Sequence, residues 1–210
     1  MQPTSHIEAK IDTRAGANLR VKATVYPFSE LPTPPTAPTM HRVQLTFAPV
    51  GPADLETLID WLPRQTWPFH ARKHVDEAWV RERAETGYFW GADTRSFWAF
   101  DATQVPLALL RVFELGDVTP LVDLRVAEAA RGRGVGSAAL RWVTTHLFES
   151  EPSLVRLGGY TRHDNVAMRR VFEKCGYQQE AYHRLAWRVE GGGLADSVGY
   201  ATLRPEPALK

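Results

Sequence analysis

Cysteine is almost missing from this chain: Cys175 stands alone among 210 residues. No disulfide can form within it, so burial must hold the fold together, and a lone thiol fits a reducing compartment. We therefore expect a cytoplasmic protein. No apolar run approaches the length of a membrane span, and Met1 to Arg20 lack the apolar core of a secretory leader. Excess charge is missing too. Lys and Arg number 25 against 24 Asp and Glu, a formal charge of +1. That balance gives no general reason to expect nucleic acid or an anionic membrane as partner. No spacing of His, Cys and carboxylates suggests a metal site, and no internal repeat occurs.

What is present is an ordinary globular composition, 44% hydrophobic and 23% charged, at a size that suits one domain plus an extension. The Pro/Thr tract from Leu31 to Thr39 removes backbone donors and favours extended geometry. It marks residues 1–39 as an N-terminal extension with a Pro-rich linker, and residues 40–210 as the domain. Ahead of the tract, Leu19, Val21, Ala23 and Val25 alternate with more polar positions, the period of a half-buried strand. Such a strand could dock on a sheet edge, its own or a partner's, which leaves room for a homodimer. A disordered leader is the plainer alternative.

Downstream, Arg42 to Ala48 reads as a strand. Pro52 opens a helix whose face carries Leu55, Leu58, Ile59 and Leu62 until Pro63 stops it. A weaker helix spans Val75 to Ala84. Strands follow at Ser96 to Asp101, Pro106 to Glu114 and Pro120 to Val126, the last two apolar enough to be buried on both faces. A helix covers Gly134 to Phe148, a strand Leu154 to Tyr160, and a helix Asn165 to Cys175 with Met168, Val171, Phe172 and Cys175 on its buried side; Gly176 ends it. Strands near Tyr182 to Val189 and Gly199 to Leu203 flank a triple-glycine turn. The order β-αα-βββ-α-β-α-ββ predicts an α/β fold of the α+β kind, a mixed sheet with helices packed on it.

The informative segment runs from Leu121 through Arg131, Gly132, Arg133, Gly134, Val135, Gly136 and Ser137. A buried strand feeds a glycine-rich turn that opens an amphipathic helix. A helix N-terminus offers unpaired N–H groups and the positive end of the macrodipole, so this arrangement suits an anion. Arg131 and Arg133 add charge for a phosphorylated ligand. The P-loop pattern fails for want of Gly-Lys-Ser/Thr, and Gly132, Gly134 and Gly136 fit the dinucleotide fingerprint poorly. Arg131, Gly134 and Gly136 do match Arg-x-x-Gly-x-Gly, and this segment resembles the acyl-CoA pyrophosphate loop of the GNAT superfamily of N-acetyltransferases. A second stretch, Asn165 to Tyr177, resembles that family's later signature, an Asn that opens a helix ending in Gly-aromatic. The tail, with Glu180, Arg184 and Asp196 to Leu203, is similar to the branch that acetylates ribosomal-protein alanine N-termini and includes antibiotic-modifying relatives. The resemblance covers about Val43 to Pro205.

It implies a GNAT fold, with a mostly antiparallel central sheet and helices on both faces, and acetyl-CoA as cosubstrate. Leu124, Arg125 and Val126 would lie on the strand that pairs with the pantetheine arm, Arg131 to Ser137 would cradle the pyrophosphate, Asn165 would bond the pantetheine or acetyl region, and Phe172 would also contact the cofactor. Gly132 to Gly136 could instead be a bare turn and Asn165 a plain cap. Relatives often place an acidic Tyr where this chain has Phe172, so Tyr160, His163 or water must replace it, or the thiolate leaves unassisted. As general base, Asp123 shares a strand face with Arg125, Glu114 ends the preceding strand, and His70 sits in an aromatic loop with Trp67 and Phe69. That loop, with Trp90 nearby, could hold an amine by cation–π contact, although aromatic residues are more often core. Cys175 shares a face with apolar neighbours and reads as packing. The expectation is direct acetyl transfer to a primary amine, on a small molecule by preference or on a protein N-terminus. The rivals are a non-catalytic acyl-CoA-binding sensor or interaction module and a nucleotide-binding domain.

Overall fold

The computed structural model describes residues 6–10, 22–26 and 44–205. Strands β1 (His6–Lys10) and β2 (Lys22–Tyr26) pair antiparallel, with Ala9 opposite Ala23, in a two-stranded sheet of their own. The alternation expected around Ala23 and Val25 is thus a strand, while Leu19, Val21 and the Pro/Thr tract lie outside the described residues.

The remaining elements follow the predicted order: β3 (Thr46–Val50), α1 (Leu55–Trp61), α2 (Glu77–Glu85), β4 (Thr94–Phe100), β5 (Pro106–Phe113), β6 (Leu121–Val126), α3 (Val135–Ser150), β7 (Arg156–Arg162), α4 (Val166–Lys174), β8 (Gln178–Val189) and β9 (Gly193–Leu203). They build a 7-stranded sheet in the order β3-β4-β5-β6-β7-β9-β8. Only β6 and β7 run parallel; every other neighbouring pair is antiparallel. Strand alternation sends successive side chains to opposite faces, and helices cover both. Phe97 packs edge-on against Trp142 of α3, while the next residue, Trp98, meets Trp61 of α1.

Three sequence expectations need correction. The first strand is Thr46–Val50 rather than Arg42 to Ala48. The last two strands are longer than predicted, because β8 is an edge strand exposed along most of its length and lacks the apolar alternation that would announce it. Of the predicted apolar face of α4, only Phe172 is buried, whereas Met168, Val171 and Cys175 are half-buried and pack against the core; Met168 and Val171 also line a cleft.

Phe172 is fully enclosed, stacked on Tyr200 at 5.0 Å and 9°. It fits only because β7 carries Gly159, where an added Cβ would lie 2.7 Å from Phe172 Cζ and 3.2 Å from the Val122 carbonyl oxygen. Neither neighbour can retreat in a packed interior. Gly159→Ala is expected to destabilise the protein by about 2 kcal/mol, read as a drop of about 6 °C in Tm; an unchanged Tm would contradict this packing.

Candidate active site

The site forms where the sheet opens. β6 and β7 share one register pair, Leu121 with Gly158. Ala127 N–H donates to Leu107 O across the β5 side, so the alternate residues Val122, Leu124 and Val126 turn their backbone groups to the other edge. Arg131 Nε takes the Val126 carbonyl at 3.1 Å. The backbone of Leu124 therefore faces the opening, where an extended amide-bearing arm can pair with it as a strand would.

A cleft of about 390 Å³ follows this edge, lined by Leu124 and Val126 of β6, the Arg131–Ser137 turn, Asn165 and α4, and the Trp67–His70 loop. At its floor the chain turns through Gly132 (φ 73°) and Gly134 (φ 86°). These left-handed angles suit glycine and let the backbone turn sharply into α3. The first bond of that helix is Ala138 N–H to Gly134 O at 3.0 Å, which leaves the N–H groups of Val135, Gly136 and Ser137 ahead of it. Sixteen residues of helix dipole end at this point. Arg170 and Lys174, one turn apart on α4, add positive charge to the same wall. Sequence reading missed both, although their i, i+4 spacing on the helix that Asn165 opens was available as a signal. An apolar channel closed by glycines, a helix N-terminus and three cations fits a ligand with a long neutral arm and a phosphorylated end.

The predicted residues of this region play divided roles. Arg131 lines the cleft, but its guanidinium also donates to Val126 O and Thr66 O, so it staples the turn to the Trp67 loop. Arg133 is outside the cleft, with Nη1 on Ala129 O at 3.4 Å. The Val135 side chain is core, 1% exposed. Asn165 both caps α4, accepting from Met168 N at 3.2 Å, and lines the cleft, with Nδ2 donating to Thr161 Oγ1. Phe172, assigned to the cofactor, does not reach the cleft at all: it is sealed under Gly159. Arg125 belongs to the opposite face of β6, as strand alternation requires.

On that face lies a second cavity of about 610 Å³. His70 lines both. Its loop is fixed by His70 N–H to Trp67 O at 3.0 Å and Trp67 N–H to Lys73 O at 2.8 Å, with the Trp67 ring buried beneath. His70 Nε2 lies 3.0 Å from Asp123 Oδ1. Two residues that the sequence offered as separate candidates thus form one pair, 53 positions apart. Asp123 Oδ2 also faces Arg125 Nε at 3.8 Å and Arg111 Nε at 4.0 Å. Burial pushes the Asp123 carboxyl up, but His70, Arg125 and Arg111 together outweigh it and hold the group ionised, well below the usual carboxylate range. Burial and the Arg125 charge lower the His70 pKa below 6.5 against the pull of Asp123, so His70 is neutral at pH 7 with Nδ1 free to accept a proton.

Asp123→Asn would leave Arg111 and Arg125 without a counter-charge. Stability should fall by about 3 kcal/mol, measured by urea unfolding at pH 7. Because the folded pKa is depressed, this contribution is present above the unfolded value of about 3.9. The gap between variant and wild type should therefore close as pH falls below it.

The other catalytic candidates separate. Tyr160 is on the wall of the second cavity, 47% exposed, with its ring 6.0 Å from His183. Glu114 is exposed in the turn after β5, and neither cavity includes it. Trp90 packs on Phe89 and the core and lines neither cavity; Tyr88, Trp79 and Trp187 supply the aromatic wall instead. Phe69 does line the first cleft, with Arg162 5.3 Å from its ring centroid. Cys175 Sγ donates to Ser137 O at 3.3 Å and burial pushes its thiol up, as a packing residue requires.

A sheet splayed beside a glycine turn, with an anion-suited cleft on one face and a His–Asp pair at its junction with a second cavity, has the layout of a group-transfer enzyme. An acetyltransferase (GNAT) domain model matches residues 44–178, and the chain belongs to that family. No curated protein matches it. Among solved structures it is similar to spermidine N-acetyltransferase from Vibrio cholerae in complex with CoA and spermine, at 15% identity over 77% of this chain and 96% of that one, TM-score 0.64. It is similar to RimL, a ribosomal L7/L12 alpha-N-protein acetyltransferase in complex with CoA, at 16% identity over 77% and 96%, TM-score 0.67. It is also similar to Mycobacterium smegmatis RimJ in complex with a CoA-disulfide, at 17% identity over 79% and 85%, TM-score 0.62. At these identities the likeness is one of fold. Among the described residues no helix is long and apolar enough to cross a membrane.

Proposed function

We propose that this acetyltransferase moves the acetyl group of acetyl-CoA to a primary amine by direct transfer, with His70 as general base and Asp123 as the group that orients it. The observation that carries the reading is the position of His70: it lines both cavities and bonds Asp123. The first cleft would take acetyl-CoA, its pyrophosphate at the Gly132–Ser137 turn beside Arg170 and Lys174 and its pantetheine arm along Leu124. The CoA complexes of the similar structures support this placement. The second cavity would take the amine.

The amine nitrogen attacks the thioester carbonyl, and its proton passes to Nδ1 of neutral His70. Collapse of the tetrahedral intermediate forms the amide and breaks the C–S bond. Asp123 stabilises the imidazolium in between. A thiol of pKa about 8.5 leaves as the anion far more readily than an amine would, and the proton on His70 can return to it. No dedicated acid is needed, so Phe172 in the core is no obstacle. The acetyltransferase domain would occupy residues 40–210, after an N-terminal extension with a Pro-rich linker at residues 1–39. One half-buried thiol suits the cytoplasm.

The test is CoA-thiol release from acetyl-CoA over a panel of amines. Amine-dependent release is the expected result. Tight acetyl-CoA binding without release from any amine would turn the reading to the non-catalytic module.

A further inference from the structure

We infer that the acceptor cavity selects a primary amine that carries a carboxylate or similar anionic group near the amine, and disfavours polyamines. The inference rests on reading the second cavity as the acceptor site.

The cavity wall is rich in cations and short of acceptors. Arg83, Arg111 and Arg125 line it together with exposed Arg72, and Asp123 is the one carboxylate on the wall. Asp123 is already shared among His70, Arg111 and Arg125. Arg83 Nε, Arg111 Nε, Arg125 Nη1 and Trp187 Nε1 are buried without any hydrogen-bond partner. Buried donors are normally satisfied, and four orphans behind the wall of one cavity leave positive potential there uncompensated, which favours an anion in the cavity.

The aromatic residues point the same way. An aromatic cage attracts an ammonium through open ring faces, but here the protein's own guanidiniums attend the rings. Arg111 lies 3.8 Å from the Tyr88 centroid and 3.9 Å from that of Phe113. Arg125 sits over Trp67 and Trp79, and Arg83 over Trp79 and Tyr88. This stacking restrains the guanidinium planes, and a restrained planar fork is suited to a carboxylate. A polyamine would bring two or more positive charges to a wall that already has net positive charge. An anionic group beside the reacting amine would meet the arginines while His70 faces the nitrogen.

The experiment measures kcat/KM for CoA release with matched amines: phenylalanine against phenethylamine, tryptophan against tryptamine, a Ser-Asp against a Ser-Asn N-terminal peptide, and spermidine. The carboxylated member of each pair should be favoured at least tenfold. The small-molecule and peptide arms distinguish a free amino acid from an acidic N-terminus. In Arg83→Gln and Arg111→Lys the ratio within each pair should fall at least tenfold, with acetyl-CoA affinity confirming an intact first cleft. Release that favours spermidine or the decarboxylated amines would overturn the inference and leave the acetyltransferase reading in place. A preference that both variants leave intact would overturn the assignment to these arginines. No release with any amine, despite acetyl-CoA binding, would overturn the catalytic reading and the inference with it.

Discussion

His70→Ala lowers kcat about 10³-fold, the range expected for loss of a positioned general base. Wild-type kcat should fall on the acid side as His70 becomes protonated. Because burial and Arg125 lower its pKa below 6.5, the midpoint of that acid limb should lie below pH 6.5. Protonation blocks Nδ1, so activity is present above that pKa and lost as pH drops through it. In the alanine variant this limb disappears. The fold should survive, since the loop is fixed by Trp67 and by backbone bonds that do not involve the imidazole. A variant within threefold of wild type, with the same acid limb, would remove His70 from the chemistry.

Gly134→Glu abolishes measurable acetyl-CoA binding, with Kd weakened at least 100-fold by titration calorimetry. Two effects add. At φ 86° any side chain in the left-handed region costs about 1 kcal/mol. The carboxylate would also stand at the N-terminal mouth of α3, where the pyrophosphate is proposed to lie, and repel it. Gly134→Ala separates the two, because it introduces the strain without the charge and should weaken binding much less. Unchanged acetyl-CoA affinity in the glutamate variant would mean that the phosphates are held elsewhere.

The glycine turn was legible because its chemistry is local: Gly132, Gly134 and the first turn of α3 are consecutive, and helix termini bind anions through neighbouring N–H groups. His70 and Asp123 were each legible as candidates, but not as a pair. Nothing in sequence measures the 3.0 Å between them, because that contact depends on a loop after α1 folding over the middle of β6. Glu114 and Trp90 were named for residue type and proximity in the chain, and both fell away once the turn after β5 and the packing of Phe89 were resolved. Arg83 and Arg111 give no signal one by one, Arg125 was legible only as a strand neighbour of Asp123, and the three are scattered over three elements. Their concentration at one cavity is a tertiary fact, hidden beneath a net charge of only +1.

Periodicity, caps and turn residues, all effects within a few positions of the chain, determined by themselves the order of elements from β3 to β9 and the place of the glycine turn that opens α3. Edge strand β8 escaped because an exposed strand has no apolar period to read. The tertiary structure alone decided that Phe172 is sealed in the core away from the cleft, that Asp123 bonds His70, and that arginines gather at the second cavity. Each of these depends on which elements meet across the sheet, and those meetings are set by packing between segments far apart in sequence.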